Sequence, residues 1–308
     1  MIGRITKTMT AVAVLAAMAL LPGIRAQAQE EAAAADPNTG AISVTAGVDY
    51  ISQYWFRGLA QENQGAIVQP YVDLGFNLYS AEEGPLSSVD LNVGIWGSLH
   101  SGPSGSGIGG PGNFLYEMDY YAGISATILD FTAGVIYTAY TSPNGFFATT
   151  QEIAVKVSYD DAALWKSLIG ESSGFGGLQP WALIAFEFDG AADGASKGIY
   201  LELGIKPSIE LGFIEKYPIT LSFPIVLGLS LDDYYEVGTT DSTFGYVTLG
   251  VEASVPLSFI PARFGSWDFH AGVYVIVLGT NPKAIAGGAV TGGDTAEIFA
   301  KFGIGFSY

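Results

Sequence analysis

Val89-Asp90-Leu91-Asn92-Val93-Gly94-Ile95-Trp96 alternates apolar residues with small, polar or aromatic ones through eight positions. A strand sends successive side chains to opposite faces. Val89, Leu91, Val93 and Ile95 therefore share one face, and Asp90, Asn92, Gly94 and Trp96 share the other. Upstream, Val72, Leu74, Phe76 and Leu78 alternate with Asp73, Gly75, Asn77 and Tyr79. Earlier still, Val44, Ala46, Val48 and Tyr50 alternate with Ser43, Thr45, Gly47 and Asp49. A period of two sustained this long is the mark of amphipathic strands.

Working outward, the pattern recurs in twelve segments: 42–57, 66–80, 87–100, 114–128, 130–141, 149–160, 178–189, 198–211, 217–232, 243–257, 266–280 and 296–308. Several exceed ten residues. A tilted membrane strand needs about 9–11 residues, whereas strands of soluble proteins average about 5–6. The 308-residue chain has only 14% charged residues, 41 glycines and 13% aromatics; soluble proteins carry about 25% charged residues. Past the N-terminus no apolar run reaches the 18 or more residues of a membrane helix. The expected fold is all-β: one transmembrane antiparallel barrel of about twelve strands over 42–308. A soluble sandwich would bury each apolar face against a second sheet. Here the other face is rich in Gly, Asp, Asn, Ser and Tyr, which suits a wet lumen.

An even strand count with both ends on one side puts loops 58–65, 101–113, 142–148, 190–197, 233–242 and 281–295 on the outer side. The inner connections include the tight Leu129-Asp130. The 161–177 connection is long, and 162–169 has the makings of a short helical turn; it either caps the inner mouth or is an ordinary long turn.

Residues 1–28 read as an export signal: Arg4 and Lys7, an apolar core from Met9 to Leu21, then Ala26-Gln27-Ala28 as a small-x-small cleavage site. The core is too short for an anchoring helix. Residues 29–41 read as a flexible periplasmic leader. The chain has no cysteine, hence no disulfide. Without Arg4, Lys7 and Arg25, nine Lys and Arg remain against 30 Asp and Glu. That balance argues against nucleic acid, which is bound through clustered bases.

The last segment sends Phe302, Ile304, Phe306 and Tyr308 one way and Lys301, Gly303, Gly305 and Ser307 the other. It resembles the terminal signal by which outer-membrane barrels meet their insertion machinery. The stretch from Asp49 to Tyr79, with Tyr54-Trp55-Phe56-Arg57-Gly58 near its centre, resembles a porin-like family of poorly characterised Gram-negative outer-membrane proteins with a Tyr-x-Phe-Arg-Gly signature. The resemblance implies a barrel in the cell outer membrane and no known substrate or catalytic residue.

The residues themselves offer little to an enzyme. The two histidines, His100 and His270, fall near opposite rims. Ser98 and Ser101 flank His100, as in a lipid-facing serine hydrolase, but the alternation turns His100 toward the lumen. No zinc spacing or phosphate loop occurs, and no cofactor is expected. Residues 189–193 and 232–236 are acidic loops with oxygen ligands for calcium but without the spacing of a known calcium loop; solvated loops are the simpler reading.

A charge facing lipid is costly. Alternation accordingly places eleven acids on the polar face: Asp49, Asp73, Asp90, Glu117, Asp119, Glu152, Glu187, Glu202, Glu252, Asp268 and Glu297. Arg57, Lys156, Lys206 and Lys301 join them, with Trp96 and His100 among the uncharged lining. Arg57, at the exit of strand one, either pairs with lumen carboxylates or holds an anionic solute group; pairing is the simpler reading. Excess acid favours cations over anions. The expected function is passive diffusion of small hydrophilic solutes, cations or neutral molecules preferred. The alternative is a structural or surface-interaction barrel with a closed lumen. The expected partners are membrane lipid, insertion machinery and small solutes.

Overall fold

The computed structural model describes residue 38 and residues 40–104, 113–170, 173–211, 218–291 and 294–308. The expected export signal 1–28 lies outside the described residues, as does nearly all of the leader 29–41.

In chain order the strands are β1 (Ile42–Ile51), β2 (Tyr54–Phe56), β3 (Leu59–Glu62), β4 (Ile67–Ser80), β5 (Leu86–His100), β6 (Leu115–Ile128), β7 (Phe131–Thr141) and β8 (Thr150–Tyr159). Helix α1 (Ala162–Ile169) follows. Then come β9 (Trp181–Asp189), β10 (Ile199–Ile205), β11 (Ser208–Leu211), β12 (Ile219–Ser222), β13 (Ile225–Asp232), β14 (Glu236–Val237), β15 (Thr240–Asp241), β16 (Phe244–Pro256) and β17 (Ser266–Leu278). Helix α2 (Thr280–Thr291) precedes β18 (Ala296–Ser307).

One antiparallel sheet runs β1–β4–β5–β6–β7–β8–β9–β10–β13–β16–β17–β18 and returns to β1. The pairs β10–β11 and β12–β13 are each one wall strand, interrupted at Lys206-Pro207 and at Phe223-Pro224. Proline has no N–H for the ladder. Twelve strands thus close a ring. At the seam Asp49 faces Gly303. Tyr308 N–H donates to Val44 O at 2.8 Å and Val44 N–H to Tyr308 O at 2.7 Å. Closure removes the unpaired edge that an open sheet would expose.

The two faces invert the plan of a soluble protein. Val72, Leu74, Val93, Ile95, Val135, Val155, Val251 and Val273 stand exposed on the outside. Asp73, Asp119, Glu152, Lys156 and Glu202 are buried inside. An apolar outer band around a polar interior is the arrangement that lipid selects, and β4, β5 and β6, at 14, 15 and 14 residues, are long enough to cross. The chain is therefore a transmembrane β-barrel. Glycines on the inner face make room for rings from the next strand. A Cβ at Gly94 would collide with the Tyr121 ring, and one at Gly204 with the Trp181 indole.

Two segments depart from the sequence expectation, and a third meets it. The first strand stops at Ile51, not residue 57. Ser52 N–H and Oγ both bond the Ala300 backbone, and the chain then leaves the wall. Residues 54–62 form a separate hairpin, β2–β3, with no ladder bond to the barrel sheet. Its two-residue turn is Arg57-Gly58, with φ of 48° and 81°; both positive values fit the tight turn that matches strand twist. Second, the expected loop 281–295 carries α2, which packs on β3. Third, the 161–177 connection does form the helix α1, but α1 buries none of its residues. Residues 174–176 run beside β11: Gly176 N–H bonds Ser208 O, and Glu210 N–H bonds Gly174 O, both at 2.9 Å.

Candidate functional site: the lumen

Directly paired residues can be followed round the ring on one face. Asp49 and Thr45 lie on β1, and Thr45 faces Asp73, which faces Gly94. Trp96 faces Asp119, which faces Tyr140. Thr138 faces Glu152, which faces Glu187; Ala185 faces Tyr200. Glu202 faces Gly228, which faces Tyr246. Glu252 faces Gly272, which faces Lys301. This face is the inner one. Period two adds Asp90 and His100 on β5, Glu117 on β6, Lys156 on β8, Lys206 after β10, Asp268 on β17 and Glu297 on β18. Arg57 is the exception: it enters the lumen from the turn of the β2–β3 hairpin and is no part of the wall.

At the outer end the hairpin crosses to the far wall. Arg57 and Glu152 form a two-pronged pair, Nη1 to Oε2 and Nη2 to Oε1, both 2.7 Å. β8 lies five strands round from β1. Nη1 also donates to Tyr234 Oη at 3.0 Å, and Tyr140 Oη donates to Glu152 Oε1 at 2.9 Å. The guanidinium carbon sits 4.3 Å from the Tyr200 ring centre and 5.7 Å from that of Tyr234, within cation–π range. Tyr235 Oη donates to Arg57 O at 2.8 Å. Burial pushes the phenol of Tyr234, a loop residue, above its ordinary value, so it enters the cluster as a neutral hydroxyl. Glu187 and Glu202 flank the pair. Glu187 accepts from the N–H groups of Ala192 and Gly198; Glu202 accepts from Tyr200 Oη at 2.8 Å and Trp181 Nε1 at 3.3 Å.

The hairpin's other end ties into β5 and the loop after it. Glu62 accepts the N–H and the hydroxyl of Ser104 at 2.9 and 2.7 Å. Ser104 Oγ lies 2.7 Å from His100 Nδ1, and Ser98 Oγ 2.7 Å from His100 Nε2. Ser98 and His100 are sealed from solvent, and the His100–Ser104 contact ties the loop to β5. Tyr54 packs between Trp96 and His100, at ring distances of 5.5 and 5.9 Å.

The half of the lumen nearer the inner rim is looser. His270 lies between Asp49 at 2.7 Å and Asp268 at 2.8 Å. Lys301 lies 3.7 Å from Asp49 and 4.0 Å from Glu252, and Glu252 also pairs with Lys206. The wall of β4, β5 and β6 differs again. It carries Asp73, Asp90, Glu117 and Asp119 and no Lys or Arg. Asn92 donates to Asp73, and Asn77 and Ser88 donate to Asp90. No group of three or more His, Cys, Asp or Glu among the described residues is arranged to hold a metal ion.

Sequence reasoning passed over Tyr140, Tyr200, Tyr234 and Glu62, which complete the outer cluster. For Tyr140 and Tyr200 a signal existed, since both occupy polar-face positions. Tyr234 comes from a loop and Glu62 from the β2–β3 hairpin off the wall, and alternation along the wall cannot supply their partners.

No curated protein matches the chain. Among solved structures it is similar to an outer membrane channel from Pseudomonas putida F1, with a TM-score of 0.46 and 8% identity over 91% of this chain and 100% of that one. It is also similar to the beta domain of the Bordetella autotransporter BrkA, with a TM-score of 0.39 and 10% identity over 88% and 99%. A third is the NanC porin, with a TM-score of 0.39 and 11% identity over 85% and 98%. A family model matches residues 33–209, more than half of the chain and including β1, the hairpin and the wall through β10, and the chain belongs to that family, described as a bacterial protein of unknown function (Gcw_chp).

Proposed function

We propose that this barrel is an outer-membrane, porin-like channel of restricted bore that passes small hydrophilic solutes, cations or neutral molecules ahead of anions. The observation that carries this reading is the base-free wall of β4, β5 and β6. Asp73, Asp90, Glu117 and Asp119 face the lumen there, while Lys156, Lys206 and Lys301 stand on β8, just after β10 and on β18, outside that wall. Fixed carboxylates in a narrow bore lined by low-dielectric walls produce a potential of several kT. Residues 1–28 direct export and are removed, 29–41 form the leader, and the outward residues Phe302, Ile304, Phe306 and Tyr308 serve the insertion machinery.

Planar-bilayer recording under a salt gradient tests the proposal. The wild type passes cations better than anions, with a preference that shrinks as salt rises toward 1 M, where the screening length falls to about 3 Å. Replacing Asp73, Asp90 and Asp119 together with Asn lowers the preference and leaves the barrel inserted. An anion-preferring wild type would overturn the assignment. A silent wild type would favour the second reading, a closed structural barrel, which draws support from the hairpin lying across the outer end of the lumen.

A further inference from the structure

The surroundings of the Arg57 guanidinium come almost entirely from outside its own hairpin. Glu152 is on β8, Tyr140 on β7, Tyr200 on β10 and Tyr234 in the loop after β13. Only the Phe56 ring, 5.1 Å away, belongs to the hairpin. If Arg57 is taken away in thought, the far wall still presents a carboxylate with both oxygens aimed at one point, two phenol rings and a phenol hydroxyl. Such a set recognises a planar cation through a forked pair and ring faces. The acids here outnumber the bases. Glu187 stands directly opposite Glu152 on the next strand, and Glu202 is one strand further. Like charges placed opposite each other repel, so an empty cage would demand a cation.

The hairpin that fills the cage is no part of the wall it packs against. It is its own two-stranded sheet and shares no ladder with the wall. It joins β1 and β4 through residues 52–53 and 63–66, and its withdrawal breaks no wall strand. Arg57 also holds a left-handed conformation, φ 48°, which only glycine, and to a lesser extent asparagine or aspartate, adopts routinely.

We propose that the cage of Glu152, Tyr140, Tyr200 and Tyr234 is a binding site for a solute's guanidinium or primary ammonium group, and that Arg57 occupies it as an internal competitor. The site names a solute class for the channel read above, and its occupancy is measured without any current. A barrel that conducts nothing and still binds would separate the two conclusions.

The test uses the refolded barrel in detergent, with methylguanidinium chloride as the probe. Methylurea, which is neutral and of the same shape, and sodium chloride at equal ionic strength are the controls. R57A has the cage empty. Millimolar methylguanidinium binds it saturably in calorimetry and raises its Tm by several degrees. Methylurea and sodium chloride do neither, R57A/E152Q loses the response, and the wild type binds at least tenfold more weakly because its cage is full. R57Q, which keeps most of the side-chain length, serves in the same assay if R57A does not refold. No saturable binding to either variant overturns the proposal. So does equal binding by methylurea, or by a variant lacking the Glu152 charge.

Discussion

The outer and inner halves of the lumen use the same kinds of residue under opposite conditions. At the outer end the Arg57 and Glu152 side chains are 7% and 2% exposed and held by two short bonds. Near the inner rim Lys206 and Glu252 pair at 32% and 16% exposure, with Lys301 sharing the carboxylate. Both are ion pairs inside a barrel, yet water reaches only the second. A polar lumen is thus no single environment. Where a loop folds in and aromatic rings close over it, an ion pair becomes part of a packed interior. Where no loop intrudes, it stays a solvated lining.

Removing one charge from each half separates a packed pair from a solvated one. E152A leaves Arg57 buried without its partner, a situation that costs about 3–5 kcal/mol. Unfolding by denaturant in detergent should register a loss of that size, and R57M/E152M should recover much of it. A loss under about 1 kcal/mol for E152A would mean that the outer half is as wet as the inner. Next in size is a steric probe. G204V puts a branched side chain where the Trp181 indole lies against β10, and overfilling a packed interior costs about 1–3 kcal/mol. A G204V barrel whose Tm equals that of the wild type would show that the Trp181 ring moves freely. The smallest effect belongs to K206Q. Glu252 keeps Lys301 and the Tyr274 hydroxyl, so the loss should fall within about 1 kcal/mol, as for solvated pairs generally. A larger loss would put the inner half in the packed class.

Much of the wall was legible because each strand repeats one rule. Val89 to Trp96 could be read alone, and the register then carries Asp90 and Trp96 round to Ser125 and Asp119 on β6. The hairpin was harder. Tyr54, Trp55 and Phe56 continue the β-prone character of β1, so composition gives no break. The turn at Arg57-Gly58 was the available sign, since glycine at the second position of a two-residue turn between Phe56 and Leu59 fits a hairpin. That Arg57 would end on Glu152 was beyond reach. The pair joins a loop to the far side of a closed ring, and nothing in a local pattern measures across a cylinder. Helix α2 was hidden for a related reason: its Ala- and Gly-rich run at 284–289 follows Asn281-Pro282 and reads as loop, and its packing on β3 supplies what the sequence leaves weak.

The prolines at 207 and 224 have a consequence for how the wall opens. They interrupt two adjoining strands, leaving β11 and β12 as a patch joined to each other by four residue pairs, to β16 by three and to residues 174–176 by a single bridge. Detaching that patch breaks few ladder bonds, whereas opening β10 against β13 breaks a longer run. Amide hydrogen exchange reports such local openings separately from global unfolding. The amides of Ile209 and Leu221 should therefore exchange ahead of those of Leu201 and Leu229, making this patch the barrel's region of lowest local stability among its wall strands.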